Sequence, residues 1–203
     1  TKGVTYVAGA QYAYDIDRLL FMPSTLTAGA EYNHDELQDH SDYRIETIDQ
    51  SLNIKSAFVQ NEWKNDMWSF LIGGRLDKHS LLRDAVVSPR ANIRYNPVKD
   101  INIRLSYGQG FRAPQIFDED LHVDIAGGEH IVSQRDPNLK KERSHSLSSS
   151  VDWYHQVGAA ELNFLVEGFF TKLVDPFASE SETQVDGSII KWIRNASGAK
   201  VYG

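Results

Sequence analysis

Strict period-two alternation of apolar and polar residues recurs about ten times along this chain, and no window of useful length carries the 3.6-residue stripe of an amphipathic helix. Only strands satisfy such a pattern, because successive strand side chains point to opposite faces. In "VVSPRANIRYN", Val87, Pro89, Ala91, Ile93 and Tyr95 alternate with Ser88, Arg90, Asn92, Arg94 and Asn96. In "INIRLSYG", Ile101, Ile103, Leu105 and Tyr107 oppose Asn102, Arg104, Ser106 and Gly108. Trp68, Phe70, Ile72 and Leu76 repeat the apolar row, as do Leu162, Phe164, Val166 and Phe170. Further strands are expected at roughly 4–14, 25–34, 50–64, 144–156 and 188–195, with a stub from 199 onward.

The connections between these strands alternate short and long. Brief turns near 21–24, 64–66, 96–100, 156–159 and 196–198 are separated by long segments after 34, at 78–86, at 109–143 and at 173–187. Turns therefore collect at one end of an antiparallel meander and loops at the other, the signature of a transmembrane β-barrel wall. Trp63, Trp68, Tyr95, Trp153 and Tyr154 fall at the turn end, and Tyr32, Tyr107, Phe169 and Phe170 at the loop end, as two interfacial girdles would require. The competing reading is a soluble β-sandwich that binds carbohydrate, in which the polar face, with Arg90 and Arg94, would meet solvent.

Composition narrows the function. A net charge of −7 with no basic cluster excludes a nucleic-acid partner. The absence of cysteine removes disulfide frameworks, Fe–S clusters and Cys-zinc sites. No apolar run is long enough for a membrane-spanning helix.

One stretch, "GQGFRAPQIF" at 108–117, fits the relaxed G-x-G-x-x-A dinucleotide fingerprint. That reading needs a helix to open at the third position so that its amides meet a pyrophosphate. Pro114 follows directly and no helical pattern comes after it, so the glycines are expected to mark a strand running out into a long loop.

The same stretch carries a family resemblance. "SYGQGFRAPQIFDEDL" and the later "DPNLKKERSHSLSSSVDW" resemble the barrel of TonB-dependent outer-membrane receptors, in which an FRAP-like box ends one strand and an N-P-N-L-k-x-E-x-S box begins the next. The matching box residues are Phe111, Arg112, Ala113, Pro114, Pro137, Asn138, Leu139 and Glu142; Asp136 stands where Asn is usual and Lys141 where Pro is common. "TAGAEYNHDEL", "AFVQNEW", "GGRLDKHS", "SPRANIRY", "EGFFTKLVDPF" and "RNASGAKVYG" extend the likeness along almost the whole chain.

The resemblance implies that residues 1–203 are a partial barrel, about ten strands from its later part, without the plug domain and the remaining strands. It implies a Gram-negative outer-membrane location, and outer-membrane lipid, the plug, TonB and a small-molecule ligand as partners. The implied function is uptake of an iron-siderophore, cobalamin or similar nutrient, with no enzymatic activity and no resident cofactor. An excised piece of this kind is expected to expose two edge strands and an apolar band.

Candidate ligand-binding residues in the long loop are His122, His130, Arg112, Gln134 and Arg135. Haem receptors of this family place a histidine between the two boxes, so His122 or His130 would hold haem iron if haem is the transported ligand. Asp118, Glu119 and Asp120, with Asp124, are weak candidates for a hard metal such as calcium, as are Asp35, Glu36, Asp39 and Asp42. Arg90, Arg94 and Arg104 would line the lumen and pair with plug carboxylates or with neighbouring acids. Asp77, His79 and Ser80, and Ser144, His145 and Ser146, supply hydrolase residue types, but adjacency in sequence does not set a base against a nucleophile.

Overall fold

The computed structural model describes residues 2–39, 48–114, 131–183 and 189–203. They form β1 (Lys2–Leu19), β2 (Met22–Asp39), β3 (Ile48–Lys64), β4 (Trp68–His79), β5 (Val86–Tyr95), β6 (Ile101–Arg112), β7 (Ile131–Arg135), β8 (Glu142–Val157), β9 (Ala160–Val174), β10 (Phe177–Thr183), β11 (Ile189–Asn195) and β12 (Ala199–Tyr202). Nine strands build one antiparallel sheet in the order β1-β2-β3-β4-β5-β6-β8-β9-β12, with β1 and β12 as its free edges. The other three form a small sheet in the order β10-β11-β7. No helix occurs among the described residues.

Register converts the alternation into two chemically distinct faces. One continuous cross-strand row runs Tyr14, Leu26, Asn61, Ile72, Ala91, Tyr107, Leu147, Phe170 and Tyr202, one residue from each of the nine strands, with Asn61 the only polar member. A neighbouring row on the other face runs Ala13, Thr27, Gln60, Gly73, Arg90, Gly108, Ser146, Thr171 and Val201. A one-residue slip anywhere would bring Arg90 or Gln60 into the apolar face, so the pattern itself pins the pairing.

Among the described residues, most of the apolar face is uncovered. Val166 is 71% exposed and Ile72 61%, whereas the buried apolar residues among those described are Leu52, Val86, Ala113 and Ile193. In a water-soluble sheet that face would be covered by a second layer. Here that face is left exposed over most of the described sheet.

Rings pack along the turn end of that face. Phe21 stacks on Trp63 at 5.9 Å between ring centroids, and Trp68 stacks on Tyr95 at 4.1 Å and on Phe70 at 5.4 Å. Trp153 stacks on Phe164 at 5.5 Å. The Trp63 indole donates to the Leu19 carbonyl at 3.0 Å, which ties the β1–β2 turn to β3. At the loop end, Tyr32 Oη donates to Asn53 Oδ1 at 2.6 Å, and Tyr107 bonds His145 Nδ1 at 3.0 Å. Phe169 departs from the expected girdle, since it lies opposite Ser148 on the polar face, whereas Phe170 shares the outward row of Leu147 and Tyr107.

Two further expectations are corrected. Residues 189–195 are not a strand of the nine-stranded sheet: β11 pairs with β10 and with β7 in the small sheet. The segments 109–143 and 173–187 are not loops throughout, since they contain β7 and β10. The nine-stranded sheet is the antiparallel meander expected, and in the small sheet β11 and β7 run parallel, with Ile189 opposite Ile131 and Ile193 opposite Arg135. The physical reason is that the "IIKWIRN" pattern of β11 does not say which sheet it joins. Polar "FASESET" in β10 alternates too weakly to read as a strand at all.

Candidate functional site

Both glycines of "GQG" lie inside β6, which continues as an extended strand to Arg112, so the segment is not a phosphate-cradling loop. It delivers the first box to the loop end of the wall, directly opposite the second box on β8. The pairing Arg112 with Glu142 is the last rung of that ladder, and both side chains belong to the polar face.

Arg112 Nη2 meets Glu142 Oε2 at 3.3 Å, and its guanidinium lies over the Phe177 ring at 4.7 Å. The same Glu142 Oε2 accepts the Phe177 backbone N–H at 3.0 Å. One carboxylate thus closes the β6–β8 ladder and pins the first residue of β10. Ala113, next in the box, is 3% exposed. A larger side chain at that position would have to displace its neighbours.

The second box is a turn followed by an anchor. Asp136 Oδ1 accepts the Asn138 N–H at 2.8 Å, and the Asp136 carbonyl accepts the Leu139 N–H at 3.0 Å. Pro137 supplies the fixed φ at the second turn position. An Asn side chain has the same oxygen acceptor, so Asp136 preserves the turn despite departing from the family pattern. Asn195, at the end of β11, then holds the turn down: its Oδ1 accepts the Lys140 N–H at 2.7 Å, and its Nδ2 donates to the carbonyls of Lys140 at 3.0 Å and Asp175 at 2.8 Å. Asn195 carried no signal in the sequence beyond lying in "RNASGAKVYG". Its role follows from three backbone groups converging on one amide.

The predicted ligand residues divide accordingly. Arg112 and the box residues fasten two loop excursions together. Gln134 and Arg135 lie in β7, opposite Trp192 and Ile193 of β11. His122, His130, Asp118, Glu119, Asp120 and Asp124 fall at 115–130, and Asp42 at 40–47, outside the described residues. Asp35 accepts a bond from Thr5 Oγ1 at 2.7 Å, and no group of three or more metal-ligating side chains occurs among the described residues.

On the polar face, Arg75 forms the densest cluster, bonding Glu31 at 2.8 Å, Asp77 at 2.7 Å and Ser56 at 2.8 Å, while Ser56 donates to Asp77 at 2.6 Å. Arg90 bonds Gln60, and Arg104 bonds Asn102 at 2.8 Å. Arg94 lies opposite Arg104. None of these three arginines meets a carboxylate among the described residues. The hydrolase-like triplets do not assemble: Asp77 is held by Ser56 and Arg75, and His145 faces away from Ser144 and Ser146.

Residues 2–203 match the family model described as TonB-dependent receptor-like, β-barrel. The chain belongs to this family. The TonB-dependent receptor-like barrels are a family of receptors rather than enzymes, and the solved structures agree in fold. The siderophore receptor PirA from Pseudomonas aeruginosa superposes with a TM-score of 0.77 at 18% identity, covering 98% of this chain and 38% of PirA. A mutant of the ferric enterobactin receptor PfeA from the same organism, solved with enterobactin, gives 0.73 at 16% identity, covering 99% and 33%. The Serratia marcescens hemophore receptor HasR, solved with its hemophore HasA and heme, gives 0.75 at 16% identity, covering 98% and 38%. The chain thus spans little more than a third of these receptors. None of the curated proteins matches it in sequence.

Proposed function

We propose that this chain is a segment of the barrel wall of an outer-membrane receptor that takes up an iron-siderophore, cobalamin or a similar nutrient, with a plug domain and TonB completing the transporter. The observation that carries the reading is the fastening of two loop excursions on the polar side of the wall, through Arg112, Glu142 and Phe177 on one side and Asn195 on the other. Loops held in this way present a preordered rim to a ligand arriving from outside, which reduces the ordering cost of capture. Below the rim, Arg90, Arg94 and Arg104 are cations without carboxylate partners among the described residues, a lining suited to anionic iron complexes or to acids of the plug. Transport would follow from plug displacement by TonB.

The test is growth of an iron-starved strain that depends on the intact receptor, supplied in turn with a panel of ferric siderophores, cobalamin and haem. Growth on one siderophore, abolished by deleting the receptor, supports the reading. Growth on haem alone, lost on replacing His122 or His130, would assign haem as the cargo instead. Indifference to every member of the panel would defeat an uptake role.

A further inference from the structure

Three side chains hold the connection between β4 and β5 against the end of the wall. Lys78 Nζ donates to the carbonyls of Leu82 and Arg83 at 3.4 and 2.6 Å. Ser80 Oγ accepts the Asn53 N–H at 3.1 Å, and the Ser80 N–H donates to the Asn53 carbonyl at 2.9 Å. The third is His79, the last residue of β4, whose Nδ1 accepts the Leu81 N–H at 3.1 Å. Lysine and serine keep their protonation states around neutrality, whereas an imidazole changes its own there.

His79 is only 2% exposed. A backbone N–H can bond only an unprotonated ring nitrogen, so the proton of the neutral ring sits on Nε2. That Nε2 is buried and has no hydrogen-bond partner among the described residues. The ring is therefore held by one nitrogen and left unsatisfied at the other. On its own face of β4 the next side chain is Asp77, 4% exposed and already engaged by Ser56 and Arg75. From β3 the same face presents the uncharged Leu52, Ile54 and Ser56, and from β5 the uncharged Val86 and Ser88. On β2, Asn33 shares the rung of Ile54 and His79, with Glu31 and Asp35 in the rungs on either side. The connection itself adds Arg83 and Asp84. Lys55 and Lys78 belong to the opposite face.

We infer that His79 is an acid-operated catch for the β4–β5 connection. A proton added to Nδ1 sets one N–H against another, so the bond from Leu81 is lost. A charged ring cannot stay buried without an acceptor, and Asp77, two residues back on the same face, draws it away from Leu81. Lys78 and Ser80 do not titrate in this range and keep the connection attached, which makes the release local and reversible. Its consequence falls on a cleft of about 450 Å³, to which this connection contributes Leu81, Arg83 and Asp84 and to which Pro114, Lys140 and Arg143 also belong. In acid the cleft loses one fixed wall while the wall built on the fastened boxes stays in place. The inference goes beyond the uptake reading and does not depend on the identity of the cargo.

The decisive experiment is hydrogen exchange of the intact receptor in detergent at about pH 7.5 and about pH 5, with rates corrected for the intrinsic pH dependence of amide exchange. The expected result is a fall in protection of about tenfold at 80–83 in acid, with 69–76 unchanged. His79→Asn, whose side-chain oxygen can accept the Leu81 N–H but does not titrate, should show equal protection at both pH values while heat-modifiable gel mobility stays native. Equal protection of 80–83 at both pH values in the native receptor would overturn the inference whether or not the variant folds. An undiminished acid response in His79→Asn would overturn it as well, because the trigger would then be another group. Neither result bears on growth with siderophore, so the two readings fail separately.

Discussion

Arg112 and Glu142 stand thirty residues apart in the chain and face each other on adjacent strands, joined by a 3.3 Å ion pair whose carboxylate also holds the backbone of Phe177. The two sequence boxes of the family are therefore halves of one fastener. Replacing Glu142 by Ala removes one partner of Arg112 and leaves the Phe177 N–H without its carboxylate acceptor. The expected cost is about 1–3 kcal/mol, felt locally. Hydrogen exchange on the intact receptor should show about tenfold or greater loss of protection at the start of β10. Unchanged protection there would mean that Glu142 does not pin the strand.

Asn195→Ala deletes three hydrogen bonds to backbone groups of Lys140 and Asp175 at once. Because they lie above the wall, barrel stability should move little while the loops loosen. Ligand affinity is expected to fall about tenfold at unchanged unfolding midpoint, since an unfastened rim must be ordered on capture. Asn195→Asp, which keeps the acceptor but turns the donor against two carbonyls, should be at least as damaging. An affinity indistinguishable from native for both variants would sink this assignment.

Gly29 leaves room for Phe58 on the polar face. A Cβ there would come within 2.6 Å of the Phe58 ring and 2.8 Å of the Ala10 carbonyl. Gly29→Ala should destabilise by roughly 1–3 kcal/mol, the usual cost of overpacking. Adding Phe58→Ala should return only part of the loss, because the backbone oxygen cannot withdraw. Gly74→Ala, whose Cβ meets nothing within 4 Å, is the matched control and should be near neutral in urea unfolding from lipid vesicles.

Leu105 and Ser106 are neighbours that point to opposite faces. Leu105→Arg puts a charge on the lipid side near mid-wall and is expected to cost about 2–4 kcal/mol, whereas Ser106→Arg enters the polar side and should be tolerated. Measuring both as folded fraction in vesicles tests which face meets lipid, and the reverse order would invert the assignment.

Much of this wall could be read before the structure, for a definite reason. Alternation in Val87, Ala91, Ile93 and Tyr95 reports a two-sided environment directly, and Trp63, Trp68 and Trp153 fall at strand ends because rings with a polar edge belong at an interface. What escaped was whatever depends on long-range choice. The alternation of β11 fits either sheet and gives no sign of its parallel pairing with β7. The box residues were identified as a motif, yet their chemistry was legible only once β6 and β8 were side by side. Asn195 had no local mark at all.

The five paired residues of β7 and β11 run in the same direction, although they come from separate departures of the chain from the wall. These two excursions are consequently joined as one unit, not two. β11 returns to the wall through only three residues, 196–198, turning at Gly198 with φ of 58°, and β12 is an edge of the nine-stranded sheet. A push on the rim near β7 would thus reach that edge, with little slack, more than sixty residues further along the chain.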